Sequence, residues 1–234
     1  MGITMEQYYP ILNQCPLFRN IGEVEFGHLM KCLGAQVKHY SAEEYVFLAG
    51  DQINHIGIIF TGILEIMKEN LAGNKHILAM VGPSDMFAEG IVCTAKRISP
   101  VTVRVKEEAD ILFIPYEKMI KSCGNTCNFH LNLIQNMMVI LGEKNFILNR
   151  KLELLTLKGM REKLVSYLLN ISNDRGSDMF QINLNRTDLA DYLNVSRTSM
   201  CRELTRMKDE GLLDFYGNSF KLMDKSKMEQ CLES

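Results

Sequence analysis

A short segment near the C-terminus, residues 196–202, carries hydroxyl and guanidinium side chains in the order Ser-Arg-Thr-Ser-Met-Cys-Arg. Arginine can pair with guanine edges in the major groove, while serine and threonine hydroxyls suit phosphates or bases. On a helix, Arg197, Thr198 and Arg202 fall largely on the outer face, while Met200 turns inward. The segment therefore predicts a helix that reads DNA, with an ordinary solvated helix surface as the simpler alternative.

The flanking residues supply the other parts of a winged helix-turn-helix. Residues 186–193 predict a short helix, Asn194-Val195 a tight turn, and Ser196 the N-cap of the next helix. Residues 212–223 predict a hairpin around Gly217-Asn218, where a glycine in first position fits a type II′ turn. Because turn, cap and hairpin follow in the right order, DNA binding is favoured over a merely solvated surface.

A second region, residues 35–115, has the short apolar runs typical of β-strands. Runs at 56–60, 77–81 and 101–105 are strand-sized, and glycine-containing turns separate them. Many short strands at close spacing predict a β-roll of the double-stranded β-helix or jelly-roll type. Residues 24–33, before the strands, predict a short helix, so the fold class expected for the whole chain is α+β.

A third region, residues 127–155, changes to a helical period. Its apolar residues recur at alternating steps of four and three, which is an a/d seam of about four heptads. A stripe this long predicts a partner, and a second copy of the chain is the simplest one; packing on the chain's own β-roll is the alternative. The predicted seam consists of Cys127, Leu131, Ile134, Met138, Leu141, Asn145, Leu148, Leu152 and Leu155.

Composition bears on location and on chemistry. The chain has 234 residues, of which 47% are hydrophobic and 23% charged, and a net charge of −2, which neither requires nor excludes nucleic acid. No apolar run approaches the roughly 18 residues of a membrane span, and the N-terminus lacks the pattern of a signal peptide. We therefore expect a cytoplasmic protein with no membrane partner, whose seven cysteines are reduced thiols.

The motifs of enzymes are missing from the sequence. It contains no glycine-rich phosphate loop, no Gly-x-Ser-x-Gly elbow and no His-Glu-x-x-His helix. Glu89 with the nearby Ser99 is too small a constellation to indicate catalysis. We therefore expect a binding protein rather than an enzyme.

Residues 196–202 match the recognition-helix motif of one known family, a Ser-Arg pair followed by Ser or Thr, an apolar residue and a later Arg. The chain resembles the CRP/FNR superfamily, the catabolite-activator and fumarate-nitrate regulators, over nearly its full length. The resemblance implies a cyclic-nucleotide-binding-like effector domain at residues 1–124, a dimerisation helix at 125–157 and a winged helix-turn-helix at 158–234. It also implies a transcriptional regulator that binds double-stranded DNA as a homodimer and contacts RNA polymerase.

By this resemblance, Arg197 and Arg202 read bases and backbone, while Arg186 and Thr187 lie near phosphates. Many members have an acidic residue at the position of Thr198, so the preferred operator should differ from theirs. The predicted wing adds Lys221, which should touch only the DNA backbone. The full set of expected DNA contacts is Arg186, Thr187, Ser196, Arg197, Thr198, Ser199, Arg202 and Lys221.

In this family, cyclic-nucleotide binders hold the phosphate with a Phe-Gly-Glu turn and an Arg-Ser/Thr pair about ten residues later. Here the turn is Phe87-Ala88-Glu89, which keeps the glutamate and loses the glycine. Ser99-Pro100 stands where the pair would be, although Arg97 could substitute if the loop shifts. We therefore expect an unidentified effector other than cyclic AMP, in a pocket around these residues, the set being Phe87, Ala88, Glu89, Arg97 and Ser99.

Other cofactors have weaker signals. An FNR-type iron–sulfur cluster needs a tight N-terminal run of cysteines, and only Cys15 lies in the first thirty residues. Cys123, Cys127 and His130 have spacing that could hold a soft metal or form a redox pair, although buried structural cysteines are the stronger alternative. Haem would need a ligand, and no spacing singles out His28, His39, His55 or His76. The alternative function is a metal-, haem- or thiol-redox-sensing module in which DNA binding is lost or secondary.

Overall fold

A computed structural model of the chain describes residues 8–69, 75–121 and 128–232. It divides into two compact units, Met1–Glu143 and Lys144–Ser234, and the boundary falls inside the long helix α5, Asn128–Thr156. The expected α+β class, with a strand-rich first unit and a helical second unit, is confirmed. The three-part division at residues 124 and 157 stays a prediction.

The first unit contains two four-stranded antiparallel sheets, in the strand orders β1-β8-β3-β6 and β2-β7-β4-β5. Between them lies an apolar layer that includes Ile59, Leu64 and Ile111, all fully buried. The apolar runs of the sequence fall on these strands, and on β7 the alternate residues Val103 and Val105 face this layer. The edge strand β5 differs, because its apolar residues Ile77, Leu78 and Met80 are exposed. The strands are β1 (Gln36–Tyr40), β2 (Tyr45–Phe47), β3 (His55–Ile59), β4 (Ile63–Glu69), β5 (Lys75–Val81), β6 (Met86–Phe87), β7 (Thr102–Glu107) and β8 (Ala109–Pro115).

Helices pack on the outer side of the first sheet. Leu29 from the N-terminal helices and Leu133 from α5 meet Ile56 and Leu112 of the sheet in one buried cluster. α2 is the helix expected from residues 24–33, and Gly34 ends it in the left-handed conformation at φ +62°. These helices are α1 (Tyr9–Leu12), α2 (Glu23–Leu33), α3 (Glu89–Val92) and α4 (Tyr116–Ile120).

α5 carries the predicted heptad seam on a face that the chain itself does not cover. The opposite face packs on the first unit through Leu133, Met137 and Ile140, which are 0–7% exposed. The seam's Met138 and Leu148 are 69% and 66% exposed, whereas Leu141 packs partly against the same cluster. Most of the apolar stripe is therefore free for a partner. Cys127 lies outside the described residues.

The second unit is helical with a three-stranded sheet in the order β10-β11-β9. The polar residues 172–178, which include Gly176, predict from sequence alone a linker after a helix over 160–169. The structure differs, because α6 continues to Arg175 and the buried Ser172 side chain donates a hydrogen bond to Asp178 (3.1 Å). Within the described residues, no helix is long and apolar enough to span a membrane. The elements are α6 (Met160–Arg175), β9 (Met179–Gln181), α7 (Arg186–Leu193), α8 (Arg197–Asp209), β10 (Leu213–Tyr216), β11 (Ser219–Leu222) and α9 (Lys225–Gln230).

Candidate nucleic-acid interface

α8 separates its residues into a buried face and an exposed face, as a recognition helix must. Met200, Leu204 and Met207 are fully buried against α7 and the small sheet. Thr198, Ser199 and the neighbouring predicted contacts are exposed, and only Cys201 between them is partly covered. The five predicted contacts at the N-cap and on α8 are thus all accessible, namely Ser196, Arg197, Thr198, Ser199 and Arg202.

Ser196 stands at the N-cap of α8, but its hydroxyl makes no capping hydrogen bond. The expected cap geometry is present in the backbone, which is extended at φ −66° and ψ 127°. Because the hydroxyl is exposed and uncommitted, it remains available to a phosphate at the helix N-terminus, where backbone amides also favour an anion.

Arg197 and Arg202 have no ion pair or hydrogen bond with any residue that the structure describes. The other basic residues of α8 are committed: Arg206 pairs with Glu203 (3.5 Å) and Lys208 with Asp214 (2.7 Å). An exposed guanidinium with no partner keeps all its donors for a ligand. These two arginines are therefore the positive groups of α8 that can meet DNA without first breaking an internal contact.

A guanidinium clamp, which the sequence reading missed, ties α8 to α6. Arg161 Nε donates to Glu203 Oε1 (2.6 Å), and both terminal nitrogens donate to Glu210 (2.7 Å each). The clamp holds the pKa of Glu210 below its usual range. The clamp therefore fixes α8 against α6 without using any of the predicted DNA contacts. Glu203 and Glu210 are seven residues apart, which is about two helical turns, so both lie on one face of α8. This spacing is the sequence signal from which the clamp could have been predicted.

A buried lysine holds the turn between the two helices. Lys163 is 8% exposed, and its Nζ donates to the carbonyl of Leu193 (3.2 Å), the last residue of α7. Asn194 then takes the left-handed conformation at φ +52°, which an asparagine tolerates better than most residues. Asn185 caps the start of α7 by accepting from the amides of Thr187 and Asp188. The turn is thus fixed from both ends of α7.

The hairpin has the predicted turn and the predicted pairing. Gly217 lies at φ +55° while Asn218 keeps a negative φ, as in a type II′ turn, and Tyr216 pairs with Ser219. Lys221 is exposed on β11, opposite Asp214. Tyr216, which sequence reasoning did not select, is 91% exposed immediately before the turn, where its hydroxyl could reach a phosphate.

Arg186 packs against the wing from within the protein. Its Nη2 donates to the carbonyl of Gly217 (2.7 Å), and its guanidinium lies 5.0 Å from the Phe215 ring centroid and 4.8 Å from that of Phe220. Burial lowers the pKa of Arg186. The side chain therefore braces the wing from inside, whereas Thr187 beside it is exposed as expected.

In the β-roll, the loop expected to form a phosphate cassette uses its polar groups internally. Ala88 takes the left-handed conformation at φ +68°, the region that favours glycine. Ser99 is 2% exposed, and its hydroxyl donates to the carbonyl of Val101 (2.7 Å). Glu89 is buried as well, at 7% exposed.

Arg97 is also engaged. Its guanidinium lies 4.9 Å from the Tyr116 ring centroid, 3.5 Å from the Asn54 carbonyl oxygen and 3.6 Å from the Glu117 carboxylate. Phe87 fills the space beside Gly57, where an added Cβ would lie 2.1 Å from the Phe87 ring. None of these three partners of Arg97 belongs to the predicted cassette. A phosphate bound by Arg97 would have to displace the contacts with them.

Of the candidate metal residues, Cys123 and Cys127 lie outside the described residues. His130 lies on α5, is 3% exposed, and its Nδ1 has no hydrogen-bond partner in the described part of the chain. His39, one of the candidate haem ligands, is bound to Asp110 (2.9 Å), which raises the pKa of His39. The described ranges contain no group of three or more His, Cys, Asp or Glu side chains arranged to hold a metal.

Comparison with known proteins matches both units. Residues 37–125 match the family model of the cyclic nucleotide-binding domain, and residues 162–231 match that of the Crp-like helix-turn-helix domain. The chain is 23% identical over 186 residues to the transcriptional activator protein FnrA of Stutzerimonas stutzeri, covering 77% of this chain and 74% of that protein. It is 21% identical to the cyclic AMP receptor protein of Thermus thermophilus, covering 92% and 95% of the two chains.

A similar fold is found among solved structures. The catabolite activator protein of Thermus thermophilus has a TM-score of 0.53 to this chain at 20% identity, and the match covers 93% of this chain and 98% of the other. With both family models in the same order on one chain, and with the exposed face of α8 in place, the protein belongs to the CRP/FNR family of transcription regulators.

Proposed function

We propose that this regulator binds its operator as a homodimer and reads sequence with Arg197 and Arg202. The observation that carries the proposal is that both guanidiniums lie on the exposed face of α8 without an internal partner, while the other arginines that contact this helix are engaged. In a helix-turn-helix, the N-terminal residues of the second helix enter the major groove first. Arg197 is the first residue of α8 and is therefore assigned to a base edge.

The remaining contacts are assigned by position. Ser196, Ser199 and Thr187 serve phosphates, and Thr198 faces the groove without the negative charge that would favour a cytosine amine. Lys221 and Tyr216 on the wing serve the flanking backbone. Arg186 contributes by holding the wing rather than by touching DNA, since both of its neighbouring rings and Gly217 already surround it.

The homodimer is proposed through the seam on α5. Leu131, Met138, Leu148 and Leu152 are 57–69% exposed in the single chain, and they repeat at heptad spacing. An apolar stripe of this length is stabilised when a second copy covers it, by about 25 cal/mol for each Å² removed from water. The symmetry of such a dimer would present two α8 helices to two half-sites of one operator.

The regulator is proposed to act in the cytoplasm, together with RNA polymerase, under the control of an effector other than cyclic AMP. The exclusion of cyclic AMP is supported by the cassette loop, where the Ser99 hydroxyl and the Arg97 guanidinium donate hydrogen bonds to other groups of the protein. FNR-type cluster chemistry has no support either, since the N-terminal region lacks the cysteine run it needs.

Operator selection tests the proposed function. Genomic fragments bound by the full-length protein are recovered and sequenced, and we expect enrichment of a two-fold-related motif with half-sites about 10 base pairs apart. The same selection is repeated with Lys221→Ala, which should recover the same motif with weaker binding. No enriched motif, or a motif without two-fold symmetry, would contradict the proposal.

The dimer has its own test. Met138→Glu combined with Leu148→Glu places two carboxylates in the seam, and burying them in an interface costs several kcal/mol. Both side chains are exposed in the single chain, so the monomer should fold normally. Sedimentation should then show a monomer, while the matched control Gln135→Glu with Glu143→Gln, two exposed positions outside the seam, should stay dimeric.

A further inference from the structure

A cavity of about 450 Å³ opens on the side of the β-roll where the edge strands of the two sheets lie next to each other. β1, the edge of the first sheet, and β2, the edge of the second, supply its walls, and residues 51–54 form part of its rim. Its volume falls in the range of about 300–1,000 Å³ that is typical of small-molecule sites. Because β1 and β2 do not pair with each other, the cavity is open to solvent along the gap between these two edge strands.

The floor of the cavity is aromatic and separates it from the cassette loop. Phe47 and Phe113 line it, and behind them the Phe87 ring lies 6.2 Å from the Phe47 centroid and 6.4 Å from the Phe113 centroid. Phe87, Ala88, Glu89, Arg97 and Ser99 do not line this cavity. It is therefore a different place from the one where the family's cassette would bind.

One positive charge stands over the aromatic floor without a counter-ion. Lys38 Nζ lies 5.6 Å from the Phe113 centroid and has no ion pair among the described residues. Asp51 also lines the cavity, but its carboxylate accepts the amide of Leu48 (2.8 Å). An ammonium group on an aromatic surface that forms no ion pair with this carboxylate favours an anionic ligand with a flat apolar body.

Uncharged polar groups complete the lining. His55 meets Phe113 edge-on, with centroids 6.5 Å apart, and burial, together with the nearby Lys38, lowers the pKa of its imidazole, which favours the neutral ring. Gln36 and Gln52 also line the cavity. Their side chains have no hydrogen-bond partner in the part of the chain that the structure describes, so these amides and the imidazole can serve a ligand's polar edge.

We propose that this cavity is a binding site for a small planar aromatic carboxylate, held with its ring against Phe47 and Phe113 and its carboxylate on Lys38. That such a ligand acts as the effector rests on the proposed regulatory function. That it binds in this cavity does not. Binding and operator recognition are therefore measured separately, and either can fail without the other.

The probe is 1-naphthoate, with 1-naphthamide as its uncharged counterpart. The chain contains no tryptophan, so the naphthalene fluorescence can be followed on the full-length protein without indole emission. We expect saturable 1-naphthoate binding with a Kd on the order of 10 µM. Lys38→Met keeps the apolar stem and removes the charge, and it should raise that Kd at least about tenfold while changing the amide's Kd less than about twofold.

Three further variants fix the location. Lys68→Met removes an exposed charge of the same domain outside the cavity and should leave binding unchanged. Gln36→Phe fills the cavity from an exposed position on an edge strand and should abolish binding of both probes. Glu89→Gln alters the cassette loop at a buried side chain that does not line the cavity, and it should leave 1-naphthoate binding intact.

The proposal is overturned if the folded protein shows no saturable 1-naphthoate binding up to about 1 mM. Equal affinity for both probes with no effect of Lys38→Met also overturns it, since that is non-specific apolar binding. Loss of binding in Glu89→Gln with retention in Lys38→Met overturns it as well, because the ligand would then lie in the cassette. Circular dichroism of each variant excludes unfolding as the cause.

Discussion

Two arginine-bearing surfaces of this molecule have the same chemistry and opposite availability. On α8, Arg197 and Arg202 are exposed and unpaired, whereas in the β-roll Arg97 is held by Tyr116, Asn54 and Glu117. Both surfaces were candidates for a phosphate ligand on residue type alone. Whether a guanidinium can bind a ligand therefore depends on its existing partners in the protein, because each internal contact must be lost before a new one is gained.

The largest effect is expected at the free arginine. Arg197→Ala should cost about 1–3 kcal/mol of operator affinity per half-site and relax the preference at one base pair, since a bidentate base contact is lost. Binding is measured by mobility shift on the selected operator and on single-base variants. Lys221→Ala, the matched wing variant, should weaken all sequences alike and lower the salt slope by about one unit. A preference changed by the lysine variant and not by the arginine variant would reverse these roles.

A smaller effect is expected where a guanidinium positions the reading helix. Arg161→Met removes the three hydrogen bonds to Glu203 and Glu210 and should lower the free energy of unfolding by about 1–2 kcal/mol, a value reduced for the one-third exposure of the side chain. Arg206→Met is the control, because its single 3.5 Å contact to Glu203 is 72% exposed on the arginine side and should contribute under about 0.5 kcal/mol. Urea unfolding measures both, and equal losses would contradict the clamp.

The cassette loop should show a small gain of stability. Ala88→Gly removes left-handed strain of about 1–2 kcal/mol, while the lost contacts of one half-buried methyl group and the added entropy of the unfolded chain together cost about 1 kcal/mol, so a net gain of about 0.5 kcal/mol is expected. Ala42→Gly, at an exposed position without positive φ, should instead lose a few tenths of a kcal/mol through chain entropy, roughly the effect of glycine's extra freedom. Losses of the same size in both variants would show that Ala88 is unstrained.

The smallest expected signal comes from cyclic AMP. Calorimetry of the full-length protein should show no saturable heat at micromolar concentrations, because the loop offers neither a free guanidinium nor a glycine at residue 88. Micromolar binding of cyclic AMP that Arg97→Ala abolishes would contradict the view that Arg97 is unavailable to a ligand. The arginine would then have released its three partners for a phosphate.

The sequence predicted the elements well where one periodicity and one kind of core decide them. The run at 56–60 and the alternation of α8 follow from burial on one face, so Ile56 and Met200 were placed correctly. The end of α6 was missed because the polar run at 172–178 hides a buried serine bonded to an aspartate. Such a contact depends on where the chain turns, which composition does not record.

The site was predictable in residue type and only partly in role. Arg197 and Arg202 could be placed on an outer face by helical spacing alone, but no spacing shows that they lack partners. Arg186 looked equivalent to them, yet its position is decided by two aromatic rings on the hairpin, about thirty residues later in the chain. The Arg161 clamp and the Lys38 cavity likewise depend on residues that meet only after folding.

The bracing of the wing by Arg186 has an entropic consequence for recognition. The guanidinium packed by Phe215 and Phe220 and bonded to Gly217 leaves the hairpin tip few conformations to lose when it meets the duplex. Ordering a free loop side chain on association costs about 0.5–1.5 kcal/mol each, so a pre-ordered tip keeps more of its contact energy as affinity. A looser hairpin tip would associate with DNA as readily and dissociate sooner. The wing would then set the lifetime of the complex on DNA rather than the sequence at which it binds.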